Sequence, residues 1–398
     1  MSDATKNGAD VPTDTITTLE MLNDNPEAVY ARLRQTMPIA RIQALNGRIL
    51  FTKAQDTFRV KTDAEHFGSY DTTTPMQRAF GGHTLMRKDG CPHIRERRAM
   101  EPPLEANGLQ KWEGNFANIA EGLLDGLKHN KTADLVADFC TPLSAGYLRH
   151  VLGLRVDDKT LFSWANALVR GAMNASFDPA IFEVSDRAND EMNAHFDEMI
   201  AAHRNSPDGS ALSAMANQAD ALPLSQIQTN MKICIGGAVL ETRDALASTM
   251  LGLLSNAEQL QNCIQNADWE AACEEGLRWV APIQASPRIV KKSLVMRGFL
   301  IPEGETVMAV QASANRDEDI WENPEKFDIT RPLHRNQTFG DGAHQCLGGG
   351  VYRLLASKIA LPMLFDRFPN MALAPNPEVA LKGFAFRGPA TLPVVLAA

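Results

Sequence analysis

The chain has 398 residues, 44% of them hydrophobic and 22% charged, and carries a net charge of −9 at pH 7. A chain of this length and apolar content can bury a sizeable core, and its acidic balance argues against nucleic acid and anionic membranes as partners. Its six cysteines form no CxxC pair and no spaced framework, which excludes a zinc site of that kind and points to a reducing cytoplasmic setting.

In chain order, residues 1–14 have no basic segment leading into an apolar one. They read as a flexible terminus rather than a secretory signal, and 15–398 as one domain. Apolar residues recur at helical spacing over 26–35, 110–127, 135–152, 159–174, 184–204, 224–255, 269–280 and 347–368. Strand-like pieces are short: 39–42 with 48–51, 288–290, and 294–310, where Gly298 and Gly304 mark turns. The longest apolar run, 233–240, is bounded by Lys232 and Glu241. Eight residues cannot cross about 30 Å of hydrocarbon, so no membrane anchor is expected. The fold class is mainly α with small β-sheets.

The stretch FGDGAHQCLG, residues 339–348, puts a single thiol among glycines directly before a helical run. Cys346 reads as a buried free cysteine, as a nucleophile, or as a ligand to a metal or cofactor. The ligand reading explains Gly340, Gly342 and Gly348, which remove side chains where backbone approaches something flat and bulky. The following helix would turn its N-terminal amides toward the negative sulfur.

That stretch resembles the cysteine-ligand loop of the cytochrome P-450 family, and three further blocks match in the family's order. EEGLRW supplies Glu275 and Arg278, NPEKFDITRP supplies Arg331, and GCPHIRERR supplies His93 and Arg97. The resemblance implies a single-domain cytochrome P-450 fold, a triangular helical prism around a buried haem b (iron protoporphyrin IX). Cys346 would be the axial ligand, as in the family's thiolate ligation. His93, Arg97, Arg288 and His344 would meet the propionates, with Phe339, Gly340 and Gly348 shaping the loop. Glu275, Arg278 and Arg331 would form a structural charge triad. The implied activity is that of a haem-thiolate monooxygenase.

The oxygen-activating helix departs from the family's acid–alcohol pattern and reads IGGAVLETRDAL. One register sets Gly236 and Gly237 on the family's pair, with Leu240 in the threonine's place and Glu241 toward the pocket. The other sets Glu241 and Thr242 on the acid–alcohol pair. Gly237, Leu240 and Glu241 share a face at i, i+3 and i+4, which favours the first. This variant resembles a bacterial subgroup that O-demethylates small methoxyaromatics such as guaiacol. By that resemblance Phe80 and Phe386 clamp an aromatic ring, a third aromatic falls at Ala172, and Leu85, Met173, Val239 and Ile283 add to the lining. The segment 67–87 would cover the substrate as a mobile lid.

The chain carries no dinucleotide-binding glycine motif and no ferredoxin-type cysteine cluster. The expected partners are therefore a small aromatic substrate and a separate ferredoxin or reductase drawing on NAD(P)H, in the cytoplasm. Hydroxylation of another small hydrophobic substrate such as a terpenoid, peroxide-driven turnover, and haem-thiolate binding without turnover are the alternatives.

Overall fold

The computed structural model describes residues 8–72, 74–332, 334–376 and 378–396. The chain divides into two compact units. The first comprises residues up to 70 with 244–346 and 373–392; the second comprises 71–243, 347–372 and 393–398.

The first unit is built on a six-stranded sheet. Its strands run in the order Thr13–Asp14, Ile39–Ile42, Arg48–Phe51, Thr306–Ala309, Ser286–Val290 and Phe67–Gly68. Ile39, Ile49 and Phe51 enter one apolar cluster while Ala40, Ile42 and Leu50 enter another. Alternate residues thus feed opposite faces. Both faces are covered, which is why these strands read as nearly continuous apolar runs. Helices Pro26–Thr36 and Ala54–Thr62 supply Val29, Tyr30 and Leu33 to one cluster and Val60 to the other. The stretch 294–310 resolves into a hairpin, Leu294–Met296 with Phe299–Ile301, followed by the sheet strand. Arg297 and Gly298 turn that hairpin at φ +49° and +82°, the tight two-residue form that suits strand twist.

The expected loose terminus, 1–14, is corrected over its second half. Thr13 and Asp14 pair in parallel with Arg41 and Ile42, and Val11 is buried. The Asp14 carboxylate explains the docking: it accepts from Arg32 and Thr17. Residues 1–7 lie outside the described residues.

The second unit is helical, with Glu113–Leu127, Thr141–Leu152, Asp158–Ala172, Pro179–Asn205 and Leu224–Gly236 as its long members. A small sheet pairs Thr132–Asp134 with Pro393–Val395. Two π-helical segments, Val136–Cys140 and Leu354–Ala360, each run into a helix with proline in its first turn, Pro142 and Pro362. A proline ring crowds the carbonyl four residues back, and a wider turn there relieves the clash. No helix among the described residues is long and apolar enough to cross a membrane.

Periodicity missed Ala54–Thr62, Gly90–Met100 and Ala257–Asn266. The first two carry charged residues on faces that the structure buries, Asp56 and Lys61 in one and His93 and Glu96 in the other. The expected single helix over 224–255 is corrected to two, Leu224–Gly236 and Val239–Leu254. Adjacent glycines, 236 and 237, are the poorest formers short of proline and let the helix break there.

Candidate functional site

The thiol loop is held by its own backbone. The amide of Gly340 donates to the Gln337 carbonyl at 2.9 Å, that of Gln345 to Gly342 at 3.1 Å, and that of Cys346 to Phe339 at 2.8 Å. Gly340 and Gly342 adopt φ of +69° and +70°. At Gly342 a Cβ would also stand 2.8 Å from the Lys61 carbonyl oxygen, so the loop lies against the end of Ala54–Thr62 with no room for a side chain. Gly342→Ala is therefore expected to cost about 2 kcal/mol or more, measured as a lower thermal midpoint. His344 ends the turn Gly342–His344, and Gly348 caps the helix Gly349–Arg353. Cys346 is left exposed at the mouth of this helical run.

Lys61 supports the loop from within. Its ammonium donates to the side-chain oxygen of Gln337 at 3.2 Å. Burial pushes that ammonium down to about 7, with Asp341 opposing the shift and Arg288 and Arg335 adding to it.

Glu275, Arg278 and Arg331 lie together. Arg278 meets Glu275 through two bonds of 2.7 Å, and Arg331 reaches the same carboxylate at 3.3 Å. The remaining Arg278 donors take the carbonyls of Asn315, Pro324 and Lys326. All five guanidinium donors are thus used, in a side chain only 1% exposed. The amide of Asp328 donates to Glu275 at 2.7 Å. This helix Trp269–Trp279 therefore fixes the segment that leads to the thiol loop.

His93 and Arg97 lie one turn apart on Gly90–Met100, on one face. His93 is buried, and Arg97 pairs with Glu101 at 2.8 Å. Arg288 stands on Ser286–Val290, in register with Val307, with one guanidinium nitrogen donating to the Pro287 carbonyl. This donor set suits haem: an exposed soft thiol for the iron, on a cradle turned by the positive-φ glycines 340 and 342, and cationic groups for two carboxylates.

Gly237 ends the helix Leu224–Gly236. Its amide donates to the Ile233 carbonyl at 2.9 Å, and a Cβ would sit 2.9 Å from that same oxygen. The next helix starts at Val239, whose carbonyl accepts from the buried Ser144 hydroxyl. The hydroxyl of Thr242 is hydrogen-bonded to the Tyr147 hydroxyl at 2.8 Å, so it faces the helix Thr141–Leu152. Leu240, Glu241 and Val239 are all buried.

The ring of Phe80 fills the space a side chain at 236 would take, since a Cβ on Gly236 would meet its Cζ at 2.8 Å. Ala172 ends Asp158–Ala172. The preceding Gly171 packs so closely that its Cβ would stand 2.8 Å from the Ala79 methyl, which sets the Phe80 turn against the end of that helix. Met173, the cap, is 50% exposed, while Leu85 is buried. In the first unit Ile283 and Phe386 form an antiparallel bridge, flanked by amide bonds from Gln284 to Ala385 at 3.0 Å and from Arg387 to Pro282 at 2.8 Å.

Sequence reasoning missed a polar latch under the segment 83–88. The Asn230 side chain accepts from the Leu85 amide at 2.9 Å and donates to Glu96 at 3.0 Å. Lys88 donates to Glu96 and to Gln226, both at 2.5 Å. The signal was present as charge and amide residues inside amphipathic stretches, but periodicity cannot say which of them are buried together.

A sequence model described as Cytochrome P450 matches residues 269–371. The biotin biosynthesis cytochrome P450 of Bacillus subtilis (strain 168) is 31% identical over 385 residues, covering 93% of this chain and 96% of that one. The vitamin D(3) 25-hydroxylase of Pseudonocardia autotrophica is 27% identical over 388 residues, 94% of each chain. Among solved structures, P450BioI in complex with hexadec-9Z-enoic acid ligated acyl carrier protein superposes with a TM-score of 0.87 at 26% identity, covering 95% of this chain and 100% of that one. The chain is similar to these relatives along almost its whole length: it belongs to the cytochrome P450 family, as a haem-thiolate monooxygenase that binds haem b.

Proposed function

We propose that this monooxygenase hydroxylates the O-methyl carbon of a small methoxyaromatic. The resulting hemiacetal collapses to a phenol and formaldehyde, so no hydrolytic residue is required. The carrying observation is the helix break at Gly237–Ala238 with the Phe80 ring wedged on Gly236 one residue before it. By the resemblance the Phe80 ring stacks on a planar substrate beside this broken helix, and holding the methyl group in a near-attack position supplies much of the rate. Ala172, where the resembled subgroup carries an aromatic, leaves room for a further ring substituent. By the same resemblance Ile283 and Phe386, bridged to each other within the first unit, belong to the lining.

When bound, haem supplies the oxygen activation, and thiolate ligation favours O–O cleavage. Cys346 is the ligand in this reading, with His93, Arg97, Arg288 and His344 holding the propionates and Phe339, Gly340 and Gly348 shaping the loop. Thr242 is tied to Tyr147, which supports the register in which Glu241 rather than Thr242 serves the pocket. Glu241 then holds or passes the proton that an acid–alcohol pair moves elsewhere in the family. Electrons come from a separate ferredoxin or reductase using NAD(P)H, in the cytoplasm.

The test is optical titration of the ferric holoenzyme with guaiacol, syringol, 4-methoxybenzoate and camphor, followed by a formaldehyde assay with an electron-transfer partner. A saturating Soret shift with methoxyaromatics and matching formaldehyde is the expected outcome. A shift with camphor alone would move the substrate to the terpenoids. Turnover with peroxide and none with reduced partner would make the chain a peroxygenase. Absence of turnover under both conditions would leave haem-thiolate binding only.

A further inference from the structure

Lys232 lies on Leu224–Gly236, one turn before Gly236, and is 2% exposed. Among the described residues, none accepts a hydrogen bond from its ammonium or stands within ion-pair distance of it. Burial pushes the group down to about 8, with Asp190 opposing the shift. A side chain buried to this degree costs desolvation that a hydrogen-bond acceptor at its ammonium offsets.

Beside it stands a buried acceptor without a hydrogen-bond partner. The side-chain amide nitrogen of Asn189 donates to the carbonyls of Ala79 at 2.8 Å and Ser185 at 2.9 Å. Two carbonyl partners fix which end of the amide is nitrogen. The Oδ1 of Asn189 is consequently the free end, buried and without a hydrogen-bond partner. Both atoms converge on Gly81, the residue after Phe80. A Cβ placed there would lie 3.2 Å from Lys232 Nζ and 3.3 Å from Asn189 Oδ1. Gly81 and Gly82 take φ of +68° and +157°, so the turn presents bare backbone where the two polar atoms meet.

We propose that Lys232 and Asn189 bind a phenolic hydroxyl of the substrate, the ammonium donating to its oxygen and Asn189 Oδ1 accepting its proton. The chemistry selects this group. A carboxylate satisfies Lys232 but turns lone pairs toward Asn189 Oδ1, and an ether has no proton to give. A hydroxyl is donor and acceptor at once. Phe80, adjacent in the chain, then walls the ring that carries it. The assignment rests on the methoxyaromatic reading and narrows it to methoxyphenols.

The experiment is a Soret titration of the holoenzyme with guaiacol and with anisole, which differ by the hydroxyl alone, and with 4-methoxybenzoate. The wild type is expected to bind guaiacol at least about tenfold more tightly than anisole, since a site built for a hydroxyl rejects the analogue without one. Lys232→Met should bring that ratio close to one with anisole binding unchanged. Lys232→Gln, a neutral donor, should restore part of the preference, and the haem spectrum of each variant reports that it folds. Equal binding of the two ligands by the wild type, or a preference untouched in both variants, overturns the proposal. So does tighter binding of 4-methoxybenzoate that depends on Lys232, which reassigns the site to a carboxylate. Formaldehyde assays separate the two readings. The stated ratios without formaldehyde sink the demethylation and leave the hydroxyl site standing, and formaldehyde with unchanged ratios does the reverse.

Discussion

Glu275→Ala is expected to destabilise the protein by about 3–5 kcal/mol, the range for removing one partner of a buried ion pair. The carboxylate is nearly inaccessible and meets Arg278, Arg331 and the Asp328 amide at once. Its removal leaves the Arg278 guanidinium, 1% exposed, with carbonyl partners only. Water cannot reach the charge to compensate, and its bonds hold 315–326 in place ahead of the thiol loop. The loss should therefore appear twice: as a lower denaturation midpoint and as weaker haem retention. Glu65→Ala is the control. Its ion pair with Lys292 is exposed on both sides, so that variant should behave like the parent. A Glu275→Ala protein as stable as the parent would mean that the triad does not hold this segment.

The triad was legible because an i, i+3 charge pair and a later arginine form short, ordered blocks, and the thiol loop because its glycines and single cysteine match a short family block. Burial was not legible. Lys232 and Glu241 served in the sequence as the polar limits of the apolar run 233–240, yet the structure buries both. A charge inside a helix looks like a solvated position until the neighbouring segment is known, and for Lys232 that segment is the Phe80–Gly82 turn, more than a hundred residues away in the chain. The break at Gly237 was hidden for a related reason. Apolar periodicity continues across it, and only the glycine pair marks where the hydrogen-bond ladder stops. The helix that carries His93 and Glu96 escaped periodicity, although the resemblance had singled out His93, because its faces alternate buried and exposed charge rather than apolar and polar residues.

Cys346→Ala is expected to yield a folded protein whose reduced, carbon monoxide-treated spectrum shows no thiolate-ligated haem. Folding should survive because the side chain is exposed and its removal opens no cavity in the core. Four of the other cysteines offer poor substitutes. Cys140, Cys263 and Cys273 are buried, and burial pushes the Cys263 thiol up to about 12, far from the thiolate a metal needs. Cys234 lies within the helix Leu224–Gly236, with no glycine loop around it. Cys91 alone shares the exposure of Cys346, at the start of Gly90–Met100. Cys91→Ser is thus the informative control, and it should keep the full thiolate signature. Retention of that signature in Cys346→Ala, with its loss in Cys91→Ser, would move the iron to the other thiol and undo the cradle argument built on Gly340 and Gly342. The geometry favours Cys346 because the φ of those glycines, the Phe339 carbonyl and the Lys61 contact together fix one sulfur position. Cys91 has only an exposed helix end.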